Sequence, residues 1–215
     1  MVSRLRCFIG GILFCFFTSS FALHATENDD LVKAMMEVYA EELAANPQDY
    51  RTYYSRAMAY FGQGDMKKAL SDIDNAIKYF PRKEKDDLAQ AYLLRAKILS
   101  ERGETKSALT DLNSALRLVP NHRLALKDRG DLLCRLGQYD MAKIDYNHLL
   151  RMDTRSQSAF MGLARVEAHT GQPVRAKDLL AQAVNLSPKD PKIYLESSEI
   201  YKEIDMMPEA VDAVS

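Results

Sequence analysis

Apolar residues along this chain recur with helical spacing, and the pattern is clearest between Tyr50 and Lys83. Tyr53, Ala57 and Tyr60 stand at i, i+4 and i+7, which places them on one face of a first helix. Gly62 and Gly64 predict its end, because glycine adopts the left-handed cap conformation without steric cost. Asp65 can cap a second helix, whose apolar face is Ala69, Ile73, Ala76 and Ile77. Pro81, with no N–H to donate, closes the pair. No segment alternates apolar and polar residues between turn signals, so strands are not expected.

The same plan recurs. Taking Tyr50, Ala89, Arg123, Gln157 and Pro191 as first positions, the units from Ala89 onward are spaced by 34 residues; an insert, Glu84 to Leu88, lengthens the first step. A large residue holds position 4 (Tyr53, Tyr92, Leu126, Phe160, Tyr194) and a small one position 8 (Ala57, Ala96, Gly130, Ala164, Ser198). Glycine recurs at position 15 (Gly64, Gly103, Gly137, Gly171) and alanine at position 20 (Ala69, Ala108, Ala142, Ala176, Ala210). Pro81, Pro120 and Pro188 close units, with Thr154 the substitute. Small residues at 8 and 20 let paired helices approach closely while position 4 fills the adjoining space. The units are 50–83, 89–122, 123–156 and 157–190, with an incomplete fifth at 191–215 that suggests a piece of a longer protein. Residues 26–49 are expected to be a polar spacer and an N-terminal capping helix, with Met35, Val38, Tyr39 and Leu43 as its apolar contacts.

Over residues 50–215 this pattern resembles the tetratricopeptide repeat. The resemblance implies an all-α fold, a right-handed α-solenoid of antiparallel helix pairs whose units stack because one pair cannot bury its own apolar face. It also implies a concave groove lined by the first helices at positions 2, 5, 9, 12 and 13. Carried over, the lining includes Tyr54, Met58 and Phe61, then Leu93 and Lys97, then Lys127, Asp131 and Cys134, then Arg165. The implied partner is a peptide or protein segment, anchored on Tyr54, Met58, Phe61 and Leu93, with Lys97, Lys127 and Arg165 selecting charge. An alternative is that the capping helix covers the apolar end of this stripe. The carboxylate clamp that some family members use on chaperone tails needs asparagines at positions 6 and 9, and none stands there.

Other chemistry is sparse. Arg56, Arg95 and Arg129 recur at position 7, and Asp72, Asp111, Asp145 and Asp178 recur in the second helices, a regularity that reads as structural ion pairs rather than an anion site. The fourth unit has Leu163 in place of the arginine, leaving Asp178 to find another partner, and Glu167 stands at the otherwise apolar position 11, where it must be paired or solvated. No histidine or cysteine pair has zinc spacing and no phosphate loop appears, so neither enzyme nor cofactor is expected. Cys134 and His169 could neighbour one another, yet a lone helical cysteine reads as a small hydrophobe. Twenty-nine Lys and Arg balance 30 Asp and Glu, which gives no footprint for nucleic acid.

The N-terminus reads differently. Arg4 and Arg6 precede an apolar run from Cys7 to Phe17 and then small residues, the order of a secretory signal cut after Ala22 or Ala25. Cleavage takes the formal charge from −1 to −3 and leaves Cys134 alone, so no intramolecular disulfide is possible. The expected location is therefore periplasmic or secreted. The alternative is an uncleaved anchor over residues 7–23, with these units serving as the sensor or regulatory part of a longer membrane-anchored signalling protein; membrane contact would then be through that segment alone.

Overall fold

Capping and turn chemistry divide the chain as its pattern implies. A computed structural model describes residues 25–205, with side-chain surroundings for 31–202. The apolar run of residues 7–23 and the last unit's second-helix residues Pro208 and Ala210 lie outside the described residues. Ten helices and no strand occur among the described residues: α1 (Ala25–Ala45), α2 (Tyr50–Gly62), α3 (Met66–Tyr79), α4 (Lys85–Glu101), α5 (Thr105–Leu118), α6 (Arg123–Arg135), α7 (Tyr139–Met152), α8 (Gln157–His169), α9 (Pro173–Leu186) and α10 (Pro191–Asp205). From α2 to α9 they pair as first and second helices of four units, the all-α solenoid expected.

Local chemistry accounts for the boundaries. Asp49 caps α2 by accepting from Arg51 N, and Asp65 caps α3 by accepting from Lys68 N at 3.0 Å. Gly64, Gly103, Gly137 and Gly171 all have φ between +69° and +78°, so each turn uses the one residue that adopts this conformation without strain. Pro173 opens α9, where its missing N–H costs nothing. The insert becomes an extra turn of α4. Asp86 and Asp87 lie inside its first turn rather than at the cap, where they still favour the helix dipole. Glu84 holds the cap position, but its carboxylate accepts instead from Tyr50 Oη at 2.6 Å.

Alanine sets the helix spacing: Ala57, Ala69, Ala76, Ala108, Ala115, Ala142, Ala164 and Ala176 have no accessible surface. The apolar core runs on from unit to unit, so no pair stands alone. In the third unit Gly130 replaces the alanine, and the fully buried Tyr146 of α7 occupies the space.

A ladder of charge crosses this core. Arg56 grips Asp72 through two bonds of 2.6 and 2.8 Å, Arg95 grips Asp111 at 2.7 and 2.7 Å, and Arg129 grips Asp145 at 2.8 and 2.6 Å. Each pair joins the two helices of one unit, and Arg95 and Arg129 also reach back to Asp74 and Asn113 of the preceding unit, at 2.8 Å each. The guanidinium groups of Arg56 and Arg95 lie over the rings of Tyr53 and Tyr92. These are structural ion pairs, their carboxylates buried and held bidentately.

The fourth unit departs from this ladder. Asp178 is exposed and falls one residue short of the ladder position, which Leu179 occupies instead. Leu163 and Leu179, both in the apolar core, take the places of arginine and aspartate. Glu167 is 2% exposed and is paired: Lys143 Nζ stands 2.7 Å from its Oε1, with Arg175 beyond.

Candidate functional groove

The first helices α2, α4, α6 and α8 present positions 5, 9 and 12 on one side of the solenoid. Met58 is the most open apolar residue there, 46% exposed, with Tyr54 and Phe61 half-buried beside it. Burial, with Asp87 nearby, raises the pKa of the Tyr54 phenol. Lys97 is exposed, while Lys127, Asp131 and Arg165 are partly covered. Leu93 does not join them. It is 3% exposed and belongs to the cluster of Ala89, Ala96 and Leu126, so it serves the core. Cys134 is also buried, its Sγ 3.8 Å from Tyr146 Oη, and His169 stacks on the ring of Tyr139. The capping helix α1 leaves Met58 open.

Three of the expected residues meet in a cleft of about 260 Å³ between the first three units. Phe61 forms one wall; Lys97, Ser100, Asp128, Asp131 and Arg135 form the others. Arg135 donates to Ser100 Oγ at 2.9 Å. Asp131 accepts from Lys127 Nζ at 2.7 Å through one oxygen and from Tyr146 Oη at 2.7 Å through the other. Burial alone would lower the pKa of the Lys127 ammonium, but Asp131 and Asp128 outweigh it and hold it above its ordinary value. Burial, with Asp131 close by, raises the Tyr146 phenol far above the usual tyrosine range.

Asp128 and Tyr146 are the residues that the groove stripe omits. Asp128 Oδ2 is buried without a hydrogen-bond partner; Lys97 Nζ stands 3.9 Å from it, beyond hydrogen-bond reach. Burial therefore raises this carboxyl group, with Lys97 and Lys127 opposing. Position 6 lies outside the i, i+4, i+7 stripe, so helical spacing alone does not single Asp128 out. Tyr146 belongs to a second helix and reaches the groove beside two glycines, Gly130 and Gly162, whose missing side chains are the sequence signal for its passage.

Among the described residues no group of His, Cys, Asp and Glu is placed to hold a metal ion, and no helix is long and apolar enough to cross a membrane. This side of the solenoid has an apolar end at Tyr54, Met58 and Phe61, then a polar cleft of mixed charge.

Comparison with known proteins agrees with this architecture. No functionally curated protein matches the chain. Among solved structures it is similar to a tetratricopeptide repeat protein from Parabacteroides merdae ATCC 43184, with 25% identity over 87% of this chain and 72% of that one and a TM-score of 0.72. It is similar in fold to MamA (16% identity, 81% and 99% covered, TM-score 0.67). YrrB, described as a TPR protein with an unusual peptide-binding site, is similar in fold as well (20% identity, 82% and 87% covered, TM-score 0.66). The tetratricopeptide repeat family model matches residues 36–87, 54–123 and 127–191, well over half of the sequence, and the chain belongs to that family.

Proposed function

We propose that this protein is a non-catalytic, exported scaffold that binds a peptide or protein segment in its groove. The observation that carries this reading is the open cleft at Phe61, Lys97 and Asp131, continuous in sequence register with the exposed Met58. Apolar anchors beside partly paired charges are how interfaces combine affinity with selectivity. The peptide-binding site for which YrrB is described supports the class of ligand. The bound segment lays apolar side chains against Tyr54, Met58 and Phe61, and Lys97, Lys127, Asp131 and Arg165 select its charge. Leu93 supports the groove from beneath.

Export rests on the order of Arg4, Arg6 and the apolar run of residues 7–17. Intact mass and fractionation from the native host test it: a soluble exported product starting at Leu23 or Thr26 is expected. A membrane-bound product that keeps Arg4 and Arg6 would overturn export and make these units part of an anchored receptor. Partner capture that survives the combined change Tyr54→Ala and Phe61→Ala would remove the groove reading.

A further inference from the structure

Helix α1 has the register of a second helix, and among the described residues no first helix of its own unit packs on it; its neighbour is α2 of the next unit. Pro47 precedes Pro81 by 34 residues, the interval between the later units. In that register Tyr39 falls where Ile73, Leu112, Tyr146 and Leu180 stand, and Val38 where Asp72, Asp111 and Asp145 stand. Those residues are at most 5% exposed. Val38 is 47% exposed, and Leu31, at the head of the same face, 54%. Met35 and Tyr39 are only partly covered. α1 is attached by the buried Leu43 and by Glu42, which accepts from Thr52 Oγ1 of α2 at 2.9 Å. The family match itself begins at residue 36, inside this helix.

Leu31, Met35 and Val38, at i, i+4 and i+7, thus form an apolar stripe where a terminal cap would be polar. The charge beside it is one-sided: from residue 31 on, α1 carries Glu37, Glu41 and Glu42 against Lys33 alone. We infer that this stripe receives a basic amphipathic helix of a partner protein, seated where a first helix would lie. Its apolar face covers Leu31, Met35 and Val38, and its lysines or arginines meet the exposed Glu37 and Glu41. Met35 replaces the alanine found at this position in every later unit, so the arriving helix must supply the small residue at the crossing.

Fluorescence anisotropy of the full chain with two synthetic helical peptides tests this. One carries a leucine–alanine stripe with lysines on its other face; its copy has glutamates in place of the lysines. The lysine peptide is expected to bind, and its copy about tenfold more weakly or worse. Leu31→Glu with Val38→Glu should abolish binding while helicity by circular dichroism is kept, because both side chains are exposed; Ile144→Glu, an exposed change on α7, should leave binding intact. Equal binding of the two peptides, or binding undiminished by the α1 changes, overturns the inference. A dimer that the α1 changes dissolve overturns it in favour of a second copy. Protection of a Val38→Cys thiol in the full chain, lost in a protein starting at Thr26, overturns it in favour of the chain's own leader.

Discussion

Tyr146 Oη donates a 2.7 Å hydrogen bond to Asp131 Oδ1, joining the second helix of the third unit to the groove surface. The ring passes close to two glycines: a Cβ on Gly130 would stand 2.8 Å from it, and one on Gly162 closer still. A core residue thereby sets the position of a groove carboxylate, with Lys127 holding its other oxygen.

Gly162→Ala separates helix propensity from packing. In an open helix this change stabilises by about 1 kcal/mol. Here overpacking, worth about 1–3 kcal/mol, opposes it and wins, because the methyl group meets the Tyr146 ring itself. Urea denaturation should show a net loss of up to about 2 kcal/mol. Adding Tyr146→Leu, the residue type at this position in the second and fourth units, should recover most of it.

The Arg129–Asp145 pair yields a second expectation. Asp145 is 1% exposed, so Arg129→Leu alone strands a buried carboxylate and should cost about 3–5 kcal/mol. Arg129→Leu with Asp145→Leu copies the Leu163 and Leu179 arrangement that the fourth unit already uses. The double variant should be far more stable than the single one, within about 1–2 kcal/mol of the parent, by a double-mutant cycle in urea.

Asp128 makes stability depend on pH. Its folded-state pKa is raised by burial, so folding favours the protonated form. That contribution is fully present below the unfolded value of about 4 and is lost as pH rises through the folded value. Asp128→Asn should therefore gain stability over the parent at pH 7, with the gap closing as pH falls through the raised folded value and gone below about 4. Thermal melts across that range check the direction; a gap that widens in acid would contradict it.

Much of this architecture was legible in the sequence because helix–turn–helix units are specified locally. The glycines at the turns need positive φ, the alanines need close approach, and both constraints recur at fixed positions. The arginine–aspartate ladder was legible for the same reason. Asp178 is an acid beside the ladder register rather than in it: 34 residues on from Asp145 stands Leu179, and a shift of one residue on a helix turns Asp178 out to solvent. The groove was less legible. An i, i+4, i+7 stripe names a face of one helix, but stacking with neighbouring units decides how much of it is covered; so Leu93 is buried while Met58 stands open. Asp128 and Tyr146 depend on contacts between helices, which no single-helix pattern contains.

The most direct test of the groove uses peptides selected from a random library on the immobilised protein, then titrated in solution. Met58→Glu and Lys97→Gln are suited to it, because both side chains are exposed and neither change sets a new carboxylate beside the buried Asp128 oxygen. The account predicts that each change weakens the selected peptides by about tenfold or more, with unchanged thermal stability. Peptides that bind both variants as well as the parent would contradict it.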